Sequence, residues 1–147
     1  MGNNLFFEPI IQTRGNFLPI SIITLFIVVL MVGILISTRA TSIAIRDGDV
    51  IIKSFIYGRR IPIDNIIVNE IQTINLKQNR EFDTSVRTNG IGLPFFSSGW
   101  FRLRNGERAL VFLTNKENVL LMPTNDFIVL FSMKRTEEFK NIITSLK

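Results

Sequence analysis

From Phe17 to Ser37 the chain reads FLPISIITLFIVVLMVGILIS, a run of 21 residues without a charge, closed by Arg14 before it and Arg39 after it. A helix of that length reaches about 31 Å at about 1.5 Å per residue, the thickness of a bilayer's hydrocarbon core. Only Ser21, Thr24 and Ser37 offer polar side chains, so the run lacks the polar face of a helix packed in a soluble core. The apolar part of a cleaved leader spans about 7–15 residues and ends in a small-residue site. This run is longer, and Ser37, Thr38, Ala40 and Thr41 form no clean A-x-A pattern. The pattern predicts a polar segment over 1–16, a single transmembrane helix over 17–38 and one compact domain over 41–147.

Beyond the apolar run the pattern changes to short apolar stretches between turn signals. SIAIR (42–46) faces DVIIKSFIY (49–57) across Asp47-Gly48, a pair suited to a type I′ hairpin because both residues tolerate positive φ. Further stretches lie at 61–63, 66–76, 100–103, 109–114, 119–122 and 127–133, rich in the β-branched and aromatic residues that suit a pleated, half-buried surface. Asn105-Gly106 repeats the hairpin chemistry of Asp47-Gly48. Pro123, Asn125 and Asp126 interrupt 119–133, so that segment predicts two strands and not a second span. At the end, Thr136 offers an N-cap hydroxyl, Glu137-Glu138 suit a first helical turn, and Phe139, Ile142, Ile143 and Leu146 form one stripe. The expectation is mainly β: about seven antiparallel strands in a bent sheet or partly open barrel, with a carboxyl-terminal helix plugging its open side.

Composition removes several kinds of chemistry. With no cysteine and no histidine, thiol nucleophiles, disulfides, Cys/His zinc sites and the usual general base are absent. Ser97-Ser98 has no base close in sequence, Asp47, Asp49 and Asp64 lack the spacing of a calcium loop, and Gly90-Ile91-Gly92 is followed by no Gly-Lys-Ser/Thr. No catalytic residue, cofactor or metal is expected. Lys and Arg number 17 against 12 acids, a formal +5, but the basic residues are dispersed, and dispersal beside an anchor argues against a nucleic-acid partner. Within about 20 residues of the run, Arg14 lies on one side and Arg39, Arg46 and Lys53 on the other, which places the domain in the cytoplasm by the positive-inside rule.

The segment Arg87–Arg108, RTNGIGLPFFSSGWFRLRNGER, reads as a glycine-punctuated turn leading into a strand that begins near Trp100. It resembles the bacterial pleckstrin-homology-like (PH-like) domain families, small domains often attached to membrane helices. The resemblance lies in Arg87-Thr88-Asn89-Gly90, Leu93-Pro94, Gly99-Trp100-Phe101 and Asn105-Gly106, with the strands and terminal helix downstream and Ile61-Pro62-Ile63-Asp64-Asn65-Ile66 upstream. Gly90, Pro94, Gly99, Trp100 and Gly106 are the turn residues of this motif. Phe95 stands where a small residue is expected after Leu-Pro, and Arg46 and Lys53, split by Asp47-Gly48-Asp49, do not form the basic signature of lipid-binding relatives. The resemblance implies a seven-stranded PH-like barrel with a terminal helix, covering 41–147.

Two kinds of ligand follow from these readings. The first is a protein partner, scaffolded at the bacterial membrane through an open strand edge or a groove beside the terminal helix; an unpaired edge also suits self-association. The alternative is an anionic lipid headgroup, met by Arg59, Arg60, Arg87, Arg102 and Arg104, of which Arg102 and Arg104 flank Leu103 and share a strand face.

Overall fold

The computed structural model describes residues 17–39 and 41–146; the amino-terminal segment 1–16 lies outside the described residues. The chain divides after Leu35 into two units. The first holds helix α1 (Phe17–Arg39) as far as Leu35, and the described side chains of that helix are those of 19–33. The large apolar side chains from Ile20 to Val32 are all between 47% and 66% exposed, with no sheltered stripe. The Thr24 hydroxyl donates to the carbonyl of Ile20 at 2.8 Å, satisfying itself within the helix. Among the described residues no helix is long and apolar enough to cross a membrane. A helix does form over the expected run, Phe17–Arg39 where 17–38 was expected.

The second unit is mainly β. Strands β1 (Ser42–Arg46), β2 (Asp49–Lys53) and β3 (Arg59–Pro62) form an antiparallel sheet in that order. Six more, β4 (Gln72–Ile74), β5 (Thr84–Leu93), β6 (Phe96–Leu103), β7 (Arg108–Leu113), β8 (Val119–Pro123) and β9 (Ile128–Ser132), form a second sheet in the order β4-β8-β9-β7-β6-β5. Helix α2 (Thr136–Ser145) follows. The described residues therefore hold nine strands in two open sheets where about seven were expected. The expected antiparallel order also fails at one place, because β7 and β9 pair in parallel, Ala109 opposite Ile128 through Phe112 opposite Phe131.

Local chemistry explains most of the elements. Asp47 and Gly48 both take positive φ, 53° and 79°, as a type I′ turn demands. Asn105-Gly106 differs: only Gly106 has positive φ, and the Leu103 N–H donates to the Glu107 carbonyl at 2.8 Å while the Gly106 N–H donates to Leu103 at 3.1 Å. That is a three-residue loop with glycine at its left-handed position, not the expected type I′ pair. The stretch 66–76 is not one strand. Buried Val68, Ile71 and Ile74 recur every third residue, a spacing that suits the 3₁₀ turn Val68–Glu70 and leaves only Gln72–Ile74 extended.

The six-stranded sheet has an apolar core on each face. Leu110, Phe112, Leu120, Met122, Val129 and Phe131 pack against Val50, Ile52 and Ile61 of the smaller sheet and Phe139 and Ile143 of α2. On the other face lie Phe101, Leu103, Val111, Leu121, Ile128 and Leu130, with Ile74, Leu76 and Phe82. Strands β7 and β8 are buried on both sides, which is why they read as unbroken apolar runs, where a half-buried surface was expected. The expected plug forms with half of its stripe: Phe139 and Ile143 are buried, but Ile142 and Leu146 are 44% and 51% exposed. Thr136 does not cap α2 either, since the N-cap position is Arg135 and Thr136 is buried in the first turn.

Candidate functional site

The motif segment is a long hairpin, β5 to β6, and not a turn before a strand. Of its motif residues only Pro94 and Gly106 lie in turns; Gly90, Gly99 and Trp100 lie within strands. Gly90 and Gly99 are directly opposite each other. A Cβ on Gly90 would fall 2.5 Å from the Ser98 carbonyl, and one on Gly99 would fall 2.6 Å from the Asn89 carbonyl and 3.0 Å from the Tyr57 ring. The two strands therefore approach closely under Tyr57, whose hydroxyl meets the Asn89 side-chain oxygen at 3.0 Å.

The five candidate arginines do not gather into one patch. Arg60 is held by Asp49 across β2 and β3. Arg87 is exposed on β5, opposite Phe101. Arg102 donates from Nη1 to the Gly106 carbonyl at 3.1 Å, closing the β6–β7 turn. Arg104 does not share a strand face with Arg102, because β6 ends at Leu103 and Arg104 belongs to the turn. Arg59 lies 5.3 Å from the ring centres of both Trp100 and Phe127.

Two residues missed in the sequence complete this last cluster. Arg108 stands 4.1 Å from the Trp100 ring centre, and Phe127 meets Trp100 edge-on at 5.1 Å. The three-residue β6–β7 loop brings Arg108 opposite Arg102, a register that the Asn-Gly signal implies; no local signal marks Phe127. Beside Trp100 a cleft of about 400 Å³ is lined by Thr88, Asn89, Phe101, Arg102 and Arg108. It presents two guanidinium groups next to an aromatic wall, chemistry suited to an anion.

A larger groove, about 790 Å³, opens onto the other face of the sheet. Its floor is apolar, with Ile71, Phe82, Leu121 and Ile128, and its rim carries Glu70, Gln72, Asn105, Glu107 and Lys140. It exists because the segment joining β4 to β5 covers that face only in part. Leu76 N–H binds the Lys116 carbonyl at 2.8 Å, while Arg104 and Asn105 donate to the Asp83 and Glu81 carbonyls at 3.0 and 2.9 Å. Between those ties Phe82 stays half-buried and β4 remains a sheet edge. Neither Glu70 nor Glu107 joins an ion pair among the described residues, so the rim is more acidic than basic. No group of side chains suited to a metal ion occurs among the described residues.

No curated protein and no solved structure matches the chain. A family model described as bacterial PH domain matches residues 41–146, all nine strands and the terminal helix, and the chain thus belongs to the bacterial PH domain family.

Proposed function

We propose that this protein is a membrane-anchored, non-catalytic PH-like module that holds a protein partner at the bacterial membrane. The observation that carries this reading is the open groove, an apolar floor within a polar rim beside edge strand β4 and Lys140 of α2. An extended peptide adds to such an edge through its main chain and sets its side chains into the adjoining hollow. Glu70 and Glu107 favour a peptide in which basic residues flank an apolar one. PH-like domains in general are interaction modules and not catalysts, in keeping with this use.

The anchor part of the proposal is supported by the charge-free run 17–37 and by the exposure of the large apolar side chains from Ile20 to Val32. Arg39, Arg46 and Lys53 against Arg14 support a domain on the cytoplasmic side. The full chain is expected to stay with membranes through alkaline carbonate extraction, and Val28→Arg with Leu30→Arg to release it. Extraction of the wild-type chain would overturn the anchor.

Peptides selected from a random library on the full chain in detergent test the groove. They should carry basic residues beside an apolar one, and Glu70→Lys with Glu107→Lys should weaken them by about tenfold or more. Selected peptides indifferent to both changes would sink the groove as the partner site.

The cleft at Trp100 favours the second reading, an anionic headgroup held by Arg102 and Arg108. Residues 41–147 enclose both apolar cores, so this domain alone serves for sedimentation with anionic and neutral vesicles. Binding to anionic vesicles that falls with salt and with Arg102→Ala and Arg108→Ala would establish that reading over the first.

A further inference from the structure

The most exposed large apolar side chains of the domain stand at two hairpin tips. Phe55 is 85% exposed and Ile56 63% in the β2–β3 turn, and Phe95 is 69% exposed in the β5–β6 turn. Tight turns favour Gly, Pro, Asn, Asp and Ser for backbone reasons, so none of the three side chains is there for the turn, and none adds to either core. Two connections bring the tips to the same end of the domain. The register Ser42 opposite Lys53 sets the β2–β3 tip beside the start of β1. A small cavity lined by Thr41, Phe96, Thr114 and Ser132 sets the start of β1 beside the root of the β5–β6 hairpin.

That end is also where the chain leaves α1. Only residues 40 and 41 separate Arg39 from Ser42, so the start of β1 lies within about 11 Å of the last residue of the helix, by the reach of an extended chain. Exposed Lys53 precedes the first tip, and exposed Lys134 follows β9 at the same end. Lys116, which adjoins Phe95, is held by Asp83 at 2.9 Å. Neither tip, over 53–57 or 93–97, contains an acid.

We infer that Phe55, Ile56 and Phe95 enter the interfacial layer of the bilayer and seat the domain on the membrane, with Lys53 and Lys134 toward anionic headgroups. This rests on the reading of 17–37 as an anchor. Aromatic and aliphatic side chains beside lysines are the composition that partitions into that layer. Seated so, the domain is held by two tips besides its tether and keeps a fixed end toward the lipid. The groove and the β8–β9 turn are then left facing the aqueous side.

The absence of cysteine makes the test direct. Single changes Phe55→Cys, Phe95→Cys, Asn125→Cys and Val29→Cys are made in the full chain and labelled with an environment-sensitive fluorophore. The proteins are reconstituted into phosphatidylglycerol–phosphatidylethanolamine vesicles. Labels at 55 and 95 should shift to the blue, lose quenching by iodide and gain quenching by spin-labelled lipid. The label at 125, in the β8–β9 turn at the opposite end of β9 from Ser132, should stay fully accessible to iodide. If 29 is shielded but 55 and 95 are as wet as 125, the tip contact is overturned and the anchor stands. If 29 is wet as well, both fall.

Discussion

One face of the six-stranded sheet lies under a second sheet and a helix; the other is bridged only by the segment between β4 and β5. Both faces are apolar and both are largely buried, yet the first is sealed by Val50, Ile52, Ile61, Phe139 and Ile143, while the second opens into the groove over Leu121 and Ile128. The cost of closing a sheet face falls on a few side chains of the covering layer, and where that layer is thin the same residue types become a binding surface. Stability and recognition are thus divided between two sides of the same strands.

Adjacent leucines of β8 give the largest test of this division. Leu120 points into the sealed face and Leu121 into the groove face. Leu120→Ala should cost about 3–5 kcal/mol in urea unfolding, because its cavity has no outlet, and Leu121→Ala about 2 kcal/mol, because solvent reaches the space it leaves. Equal costs would mean that the groove closes in solution. Next in size, Gly99→Ala should cost about 1–3 kcal/mol from its φ of 116° alone, before the contact with Asn89 is relieved. It should also loosen Tyr57, read as a lost nuclear Overhauser contact between the ring and β6.

Smaller effects lie outside both cores. Arg108→Ala should cost about 0.5–1 kcal/mol and shift the emission of the single tryptophan to the red as Trp100 gains water. Smallest is the Lys77–Glu117 pair, exposed on both partners, in which the hydrogen bond from Lys77 and its charge hold the Glu117 carboxyl below its usual value. A lowered folded value means stability present above the unfolded value and lost as the pH falls through the folded one. Glu117→Gln should therefore lower the melting temperature slightly at neutral pH and leave it unchanged at pH values below the folded one, so that the acid limb of the profile is a little flatter.

The sequence discloses local chemistry well and distant pairing poorly. Asp47-Gly48 dictates its turn because both residues must accept positive φ, and the split of 119–133 follows from Pro123 and Asp126. The terminal helix is legible, though its stripe does not reveal that only Phe139 and Ile143 find a surface. Gly90 and Gly99 mislead as turn residues because glycine marks a close backbone approach as readily as a bend. The parallel match of β7 to β9 has no local signature. Of the candidate site, Arg59 and Trp100 were visible as residues, but their meeting with Arg108 and Phe127 depends on how the two sheets overlie. The groove was foreseeable only as a place beside the terminal helix, since its floor is made of residues that read as ordinary core.

The parallel pairing bears on the order in which the chain is made. Strand β9 lies between β8 and β7, so the centre of the sheet is supplied by the last of its six strands to be synthesised. Until Ser132 has emerged, β7 and β8 each present an unmatched apolar border. At about 5–20 residues per second, the interval between completing β8 and completing β9 lasts about 0.5–2 s. A stop codon ahead of Ile128 would leave those borders permanently open and deliver the nascent protein to proteases, whereas a stop after Ser132 keeps the sheet whole and removes the cover that Phe139 and Ile143 give to one face.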